Sequence, residues 1–408
     1  MSRRPPVVVQ KFGGSSLEDL DAIRRVAARI VATRRKGCRV VVVVSAMGST
    51  TDKLQEMARA ITPNPQRREL DMLLTAGERQ TMALLSLAIM AAGEAAQSFT
   101  GSQVGIITDR FHSDARIQEI RGTRLLECLR RGAIPIVAGF QGVSYDREIT
   151  TLGRGGSDVT AVALAAWLKA DRCEFYKDVD GLFTENPAVF PLVRPVARIS
   201  FTELAELAAS GAEVIHPRAC ALAEKYRVPL IIRSSFTRKR GTVVTHPDKL
   251  EKAFVRAITH RQQLARVSLV DVRKKRRCLH QVVTRLAAAR VPVLFFNHGV
   301  VHDTRFDLSF IIPKDHLADA RPVIAALARE VGATRTDINA DLCSVSVVGP
   351  GVGTDAEILS GTLDTLHQAG IHLDAFATSA TSLCCFLPEE DLRLAATALL
   401  ARFRLARR

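Results

Sequence analysis

Val7-Val8-Val9-Gln10-Lys11-Phe12-Gly13-Gly14-Ser15-Ser16 is the stretch that decides the fold. Three consecutive β-branched residues read as a short buried strand. The strand runs straight into Lys-x-Gly-Gly-Ser-Ser, after which Glu18, Asp19 and Leu20 open a helical pattern. A strand, a glycine turn and a helix start together make an anion cradle. Glycines let backbone N–H groups approach phosphate oxygens, the helix start adds a partial positive charge, and Lys11 adds a full one. The order differs from the Walker pattern, because the lysine precedes the glycines and no Gly-Lys-Ser/Thr follows. A Gly-Gly turn after a strand is often no more than a turn. A second glycine cluster, Gly153-Arg154-Gly155-Gly156-Ser157-Asp158, adds weight to the ligand reading.

Working outward, the chain to about residue 245 alternates strand-like and helix-like segments. Strands are expected at 40–45, 104–108, 134–138, 173–177 and 230–234, and helices at 70–92 and 158–169. Such alternation predicts an α/β fold with a mostly parallel sheet and helices on both faces. Beyond residue 250 the pattern becomes two successive βαββα cycles of about 70 residues each. Units of this kind serve as small-ligand and dimerisation modules. The expected domains are 1–250, 262–335 and 340–408.

The chain has 408 residues, 47% of them hydrophobic, enough for two or three cores. The longest mostly apolar run, from Met82 to Ala92, is too short to span a bilayer, so no membrane partner is expected. The eight cysteines form no Cys-x-x-Cys pair, which fits a reduced, cytoplasmic compartment. The net charge of +15 admits nucleic acid or phosphorylated ligands. Aromatic residues are only 5% and do not interleave with the basic run Arg273–Arg277. Base stacking is therefore poorly supplied, and no nucleic-acid partner is expected. His298 and His302 read as loop residues without a third ligand, and no metal site is expected.

Several short segments carry chemistry. Arg154 stands between glycines just before a helix, where a guanidinium can grip a carboxylate with two parallel hydrogen bonds. Ser157 can cap that helix or face an anion. Asp178 and Asp180, in Lys177-Asp178-Val179-Asp180-Gly181, follow a strand end, where α/β sheets bind ligands. Thr75-Ala76-Gly77-Glu78-Arg79 reads as a helix start, with Glu78 favoured there by the dipole. Ser45-Ala46-Met47-Gly48-Ser49-Thr50-Thr51-Asp52 is a small-hydroxyl loop after a strand.

Taken in order, these segments resemble the aspartate kinases of the amino acid kinase superfamily. The resemblance rests on Lys-Phe-Gly-Gly-Ser-Ser at 11–16, Ser-Ala-Met-Gly-Ser-Thr-Thr-Asp at 45–52 and Gly-Glu-Arg at 77–79. Gly-Phe-Gln-Gly at 139–142, Thr-Leu-Gly-Arg-Gly-Gly-Ser-Asp at 151–158 and Lys-Asp-Val-Asp-Gly at 177–181 add to it, as do His216-Pro217-Arg218 and Arg233-Ser234-Ser235-Phe236. It implies a three-layer amino acid kinase fold followed by two α+β, ferredoxin-like ACT domains that pair subunits into a dimer or a dimer of dimers. It implies ATP-dependent phosphorylation of the L-aspartate side chain, with Mg²⁺ bridging the phosphates. Lys11, Asp158 and Arg154 would be catalytic. Ser45, Thr51, Glu78, Arg154 and Ser157 would hold aspartate. Lys11, Phe12, Gly13, Gly14, Asp178, Asp180, Phe183, Glu213 and Val214 would hold ATP. The products would lead toward lysine, threonine, methionine and diaminopimelate.

The chain also departs from the family pattern. Glu213 replaces a lysine near the nucleotide, with Arg218 a candidate to compensate, and Ala188 replaces an arginine. The first ACT-like cycle has Arg273-Lys274-Lys275-Arg276-Arg277 where the family has a Pro-Gly turn, and Ala377-Thr378-Ser379-Ala380 replaces Ser-Thr-Ser-Glu in the second. Weak or absent inhibition by lysine or threonine is the resulting expectation. The rival readings are a kinase for another amino acid, carbamate or UMP, and an aspartokinase-like regulatory subunit of low turnover.

Overall fold

The structure is a computed structural model that describes residues 4–212, 214–245, 253–273, 278–289, 291–302 and 304–407. Glu213 and residues 274–277 of the basic run therefore lie outside the described residues. The chain divides into two compact units. The first contains Met1–Phe183, Pro195–Ala209 and Glu213–Leu250; the second contains Thr184–Arg194, Ser210–Ala212 and Glu251–Arg408. The short segments 184–194 and 210–212 thus group with the second unit, which a single boundary at residue 250 does not anticipate.

The first unit is organised by an eight-stranded sheet. Its order is Arg198–Ser200, Thr242–Thr245, Leu230–Ser234, Arg172–Lys177, Val7–Phe12, Arg39–Val44, Ile134–Ala138, Ala96–Phe99. Val7–Phe12 lies at the middle, parallel to both neighbours, with Lys11 opposite Val43 and Phe175. Only Thr242–Thr245 and its parallel neighbour Arg198–Ser200 run against the rest. Arg39–Val44 and the first half of Val7–Phe12 are valine on both faces, as suits buried parallel strands. Val8, Phe12, Val40, Val42, Ile134 and Ile136 pack on one face against Ile23, Ile30, Leu85 and Ile89 of helices Leu20–Arg35 and Arg67–Ala91. Each such side chain, fully buried, contributes about 1.5–3 kcal/mol relative to exposure.

Helix Gly156–Trp167 packs against Val7–Phe12 and Arg39–Val44, and its first ten residues are all buried. A helix apolar on all sides belongs in an interior. Asp19 caps Leu20–Arg35 by accepting from the Ala22 N–H at 2.6 Å. A short 3₁₀ turn, Gly14–Leu17, separates the first strand from that helix. A four-stranded sheet of Ile117–Ile120, Ile106–Thr108, Gln141–Ser144 and Ile149–Thr151 completes the unit. The strand expected at 104–108 is shorter, because Thr100 and Gln103 form a capping box that makes Gly101–Val104 a helical turn.

The second unit holds one six-stranded antiparallel sheet, to which both cycles contribute. Its order is Phe295–His302, Arg305–Pro313, Ala257–Arg273, Arg335–Val348, Ser382–Pro388, Ala375–Thr378. The opening strand of each cycle lies at the centre, and the two pair with each other from Ala257↔Val348 to Val270↔Arg335. Each cycle thus fills the position beside the other's first strand. Helices Cys278–Ala288 and Leu317–Val331 cover the first cycle through Val282, Leu286, Ile324 and Leu327. His298 and His302 lie on a strand, not on the loop that the sequence suggests, and the His298 ring packs 4.6 Å from that of Phe306.

Candidate active site

The carboxyl ends of the central parallel strands gather the candidate residues, where open α/β sheets place ligands. Lys11 comes from Val7–Phe12, Ser45 follows Arg39–Val44, and Lys177 ends Arg172–Lys177. Asp158, in the first turn of Gly156–Trp167, lies beneath Lys11 with 2.7 Å between Nζ and Oδ1. Both side chains are nearly inaccessible, at 4% and 6% exposure. Lys177 adds a second ammonium 4.0 Å from Asp158 Oδ2, and the His216 N–H donates to the same oxygen at 3.2 Å.

Burial opposes the charge on Asp158, but Lys11 and Lys177 overcome it and hold the carboxyl below its usual range. Burial likewise pushes the Lys11 ammonium down, resisted by Asp158. The outcome is a dry, immobilised cation pair around one anion. A further anion brought to Lys11 meets a donor that solvent does not screen.

Glu78 lies on the far side of the Ser45 loop. The sequence suggests a helix start, but helix Arg67–Ala91 begins eleven residues earlier, so the dipole gives Glu78 no help. Its Oε1 accepts the Ala46 N–H at 3.2 Å, while Oε2 is buried without a hydrogen-bond partner among the described residues. Burial raises its pKa to about 7, against the pull of the Ala46 amide and Lys11. A buried carboxylate oxygen left open is an unmet demand for a donor. Ser45 Oγ and Ser157 Oγ stand 2.9 Å apart nearby. Gly155, at φ +69°, is the residue that caps the helix, and no side chain caps it, so Ser157 is free of the capping role. A Cβ on Gly155 would lie 2.5 Å from the His216 ring, so that bend is reserved for glycine.

Arg154 projects from the loop beside Gly155, exposed, with no ion pair among the described residues. Thr51 is half-buried in the first turn of Thr50–Ile61. Gly14 sits close enough to the neighbouring loop that a Cβ would fall 2.9 Å from the Gly48 carbonyl oxygen. The Gly13 N–H points to the Tyr176 carbonyl at 3.4 Å.

Other expected residues are engaged elsewhere. The Phe12 ring is fully buried and stacked on Tyr176 at 4.6 Å, so its side chain belongs to the core rather than to a ligand. Asp180 accepts from Thr237 Oγ1 at 2.5 Å and Lys239 Nζ at 2.6 Å, a loop tether. Asp178 is exposed; Phe183 and Val214 are half-buried. Arg218 does not stand free to compensate for Glu213. Its guanidinium binds Asp114 Oδ1 and the carbonyls of Leu152 and Ala115 at 2.7–3.1 Å.

Sequence reasoning missed Asp71. Its buried carboxylate accepts from Thr151 Oγ1 at 2.7 Å, the Thr151 and Ser113 N–H groups, and His112 Nδ1. These bonds fix the strand that leads into Gly153 and Arg154. A lone acidic residue on an amphipathic helix carries no local signal of that role.

The description "Amino acid kinase family" fits residues 6–234. An aspartokinase of Mycolicibacterium smegmatis is 41% identical over 405 residues, covering 98% of this chain and 96% of that protein. An aspartokinase of Corynebacterium glutamicum is 40% identical with the same coverage. The crystal structure of E. coli aspartokinase III in complex with aspartate and ADP has the same fold, with a TM-score of 0.82, 23% identity, and coverage of 98% and 100%. On its fold and on close sequence likeness along nearly its whole length, this chain belongs to the amino acid kinase family and, within it, to the aspartokinases.

Proposed function

We propose that this chain transfers the γ-phosphoryl group of ATP to the side-chain carboxylate of L-aspartate, giving 4-phospho-L-aspartate and ADP. The observation that carries the reading is the Lys11–Asp158 pair set near a buried Glu78 whose Oε2 has no partner among the described residues. Glu78 supplies the missing partner for an α-ammonium. Arg154, with Ser157 and Ser45 behind it, offers a bidentate grip for an α-carboxylate, and Thr51 closes the same pocket. A substrate held at both α groups presents its side-chain carboxylate to the phosphate.

That carboxylate is already ionised at neutral pH, so no general base is needed. One of its oxygens forms the new P–O bond while the bond to the ADP oxygen breaks. The chain contributes positioning and charge neutralisation: Lys11 and the amide at Gly14 face the transferring group, while the Gly13 N–H is held by the Tyr176 carbonyl. Asp158 keeps Lys11 charged and fixed. The nucleotide body falls to the Asp178–Phe183 side and to Val214. Mg²⁺ neutralises phosphate charge when bound. Among the described residues no group of three His, Cys, Asp or Glu side chains surrounds a metal position, so the nucleotide itself would carry the ion. The ACT-like cycles would pair subunits, and residues 262–335 and 340–408 would be their extents.

A hydroxamate assay with Mg-ATP tests this reading. Aspartate should give product, glutamate should not, and lysine or threonine at millimolar levels should change the rate little. No product with aspartate would leave the regulatory alternative standing.

Glu78 adds a pH dependence. Its raised pKa means that protons compete with the substrate ammonium. Below its pKa of about 7 the carboxyl is neutral and the ammonium loses its counter-ion; above, it is ionised. The value of kcat/KM for aspartate should fall about tenfold for each pH unit below that point. Glu78→Gln should give a low, flat profile. A wild-type profile flat down to about pH 5.5 would remove Glu78 from the substrate site.

A further inference from the structure

The small four-stranded sheet of the first unit borders a cavity of about 470 Å³ that shares no lining residue with the site described above. Three guanidinium groups, those of Arg121, Arg124 and Arg147, line it together with the hydroxyls of Ser102, Thr123 and Tyr145. No aspartate or glutamate lines it.

Its geometry follows from local sequence. Gly122 takes φ +67°, and the Trp167 ring occupies the place where a Cβ would stand, so both conformation and space call for glycine. The bend turns the chain between Arg121 and helix Thr123–Arg130, which starts without a side-chain cap. Arg147, at φ +66°, sits on the hairpin that joins Gln141–Ser144 to Ile149–Thr151.

Counter-charge is scarce. Arg121 lies 3.7 Å from Glu119, whose other oxygen accepts from Tyr145 at 3.5 Å. Arg124 lies over the Phe99 ring at 5.6 Å, a contact that holds the guanidinium without neutralising it. Arg147 makes no ion pair among the described residues. Of the two carboxylates flanking it on that hairpin, Glu148 is taken by Arg68 at 2.8 Å, and Asp146 is exposed and makes no ion pair with Arg147 among the described residues. Two of the three guanidiniums that line the cavity, those of Arg124 and Arg147, are therefore without a carboxylate partner among the described residues.

We propose that this cavity binds a compact phosphate-bearing metabolite, separate from the nucleotide of the reaction. Guanidinium forks match phosphate oxygens two at a time, and hydroxyls and open helix N–H groups complete such a shell. Tyr145, 65% exposed, lies at the mouth as an aromatic surface for an organic moiety.

Isothermal titration of the full chain with inorganic pyrophosphate tests the assignment. The double variant Arg124→Ala/Arg147→Ala is compared with a charge-matched control, Arg321→Ala/Arg393→Ala, on exposed helix positions of the second unit. The wild type and the control should share a binding event that weakens about tenfold or more in the cavity variant. Because the comparison is by difference, pyrophosphate bound at the catalytic site does not enter it. Turnover without pyrophosphate should be equal in all three proteins. Equal binding by wild type and cavity variant overturns the proposal. Equal weakening in the control does so too, because it would mark a general charge effect.

Discussion

Lys11→Met should lower turnover by about three orders of magnitude while the protein still folds. The Lys11 ammonium is the buried positive charge at the centre of the sheet, 2.7 Å from Asp158, and no other residue can deliver charge to that point. Lys177 stands 4.0 Å away, on the other carboxylate oxygen. Removing Lys11 has a second consequence. Asp158 is then a buried carboxylate left with the His216 N–H at 3.2 Å and the distant Lys177 ammonium, a loss of about 3–5 kcal/mol in stability. The two effects separate in the double variant Lys11→Met/Asp158→Asn. Neutralising Asp158 should return most of the melting temperature and none of the turnover. A single variant with turnover within tenfold of wild type would remove Lys11 from the chemistry. Activity recovered by the double variant would make the pair structural only.

Arg154→Ala should raise KM for aspartate about a hundredfold and leave KM for ATP nearly unchanged. The side chain is exposed and unpaired among the described residues, so its loss costs little stability. Its location is enforced by flanking glycines at φ +78° and +69°, which aim the loop without any contact from the arginine itself. Arg154→Lys should recover little, because an ammonium cannot make two parallel hydrogen bonds to one carboxylate. Steady-state kinetics in both substrates distinguishes the outcomes. An unchanged KM for aspartate would assign the α-carboxylate to another group.

Much of the first unit was legible in the sequence for simple reasons. Val7–Phe12 opens with three valines, Arg39–Val44 holds five in a row and Ile134–Ala138 is apolar throughout, the composition that buried parallel strands need. Glycine clusters at 13–14 and 153–156 mark turns that other residues resist. The tertiary partners of polar residues were not legible. Nothing local says that Phe12 turns into the core, that Arg218 braces Asp114, or that Asp71 anchors Thr151 from 80 residues away. Glu78 was identified as a site residue, but its mid-helix position hides the reason for its raised pKa, which is burial. In the second unit, Ala257–Arg273 is twice the length that its apolar stretch suggests. Its first half carries five polar residues in a row, Thr259 to Gln263, and the pairing with Arg335–Val348 sustains it.

That shared pairing has a consequence for dissecting the chain. A fragment ended after helix Leu317–Val331 would keep a whole βαββα cycle, yet leave one side of the Ala257–Arg273 strand without its ladder of partners. An open edge of that length invites pairing with any other chain. The two cycles are therefore best regarded as a single cooperative folding unit: they should melt in one transition and resist excision one at a time.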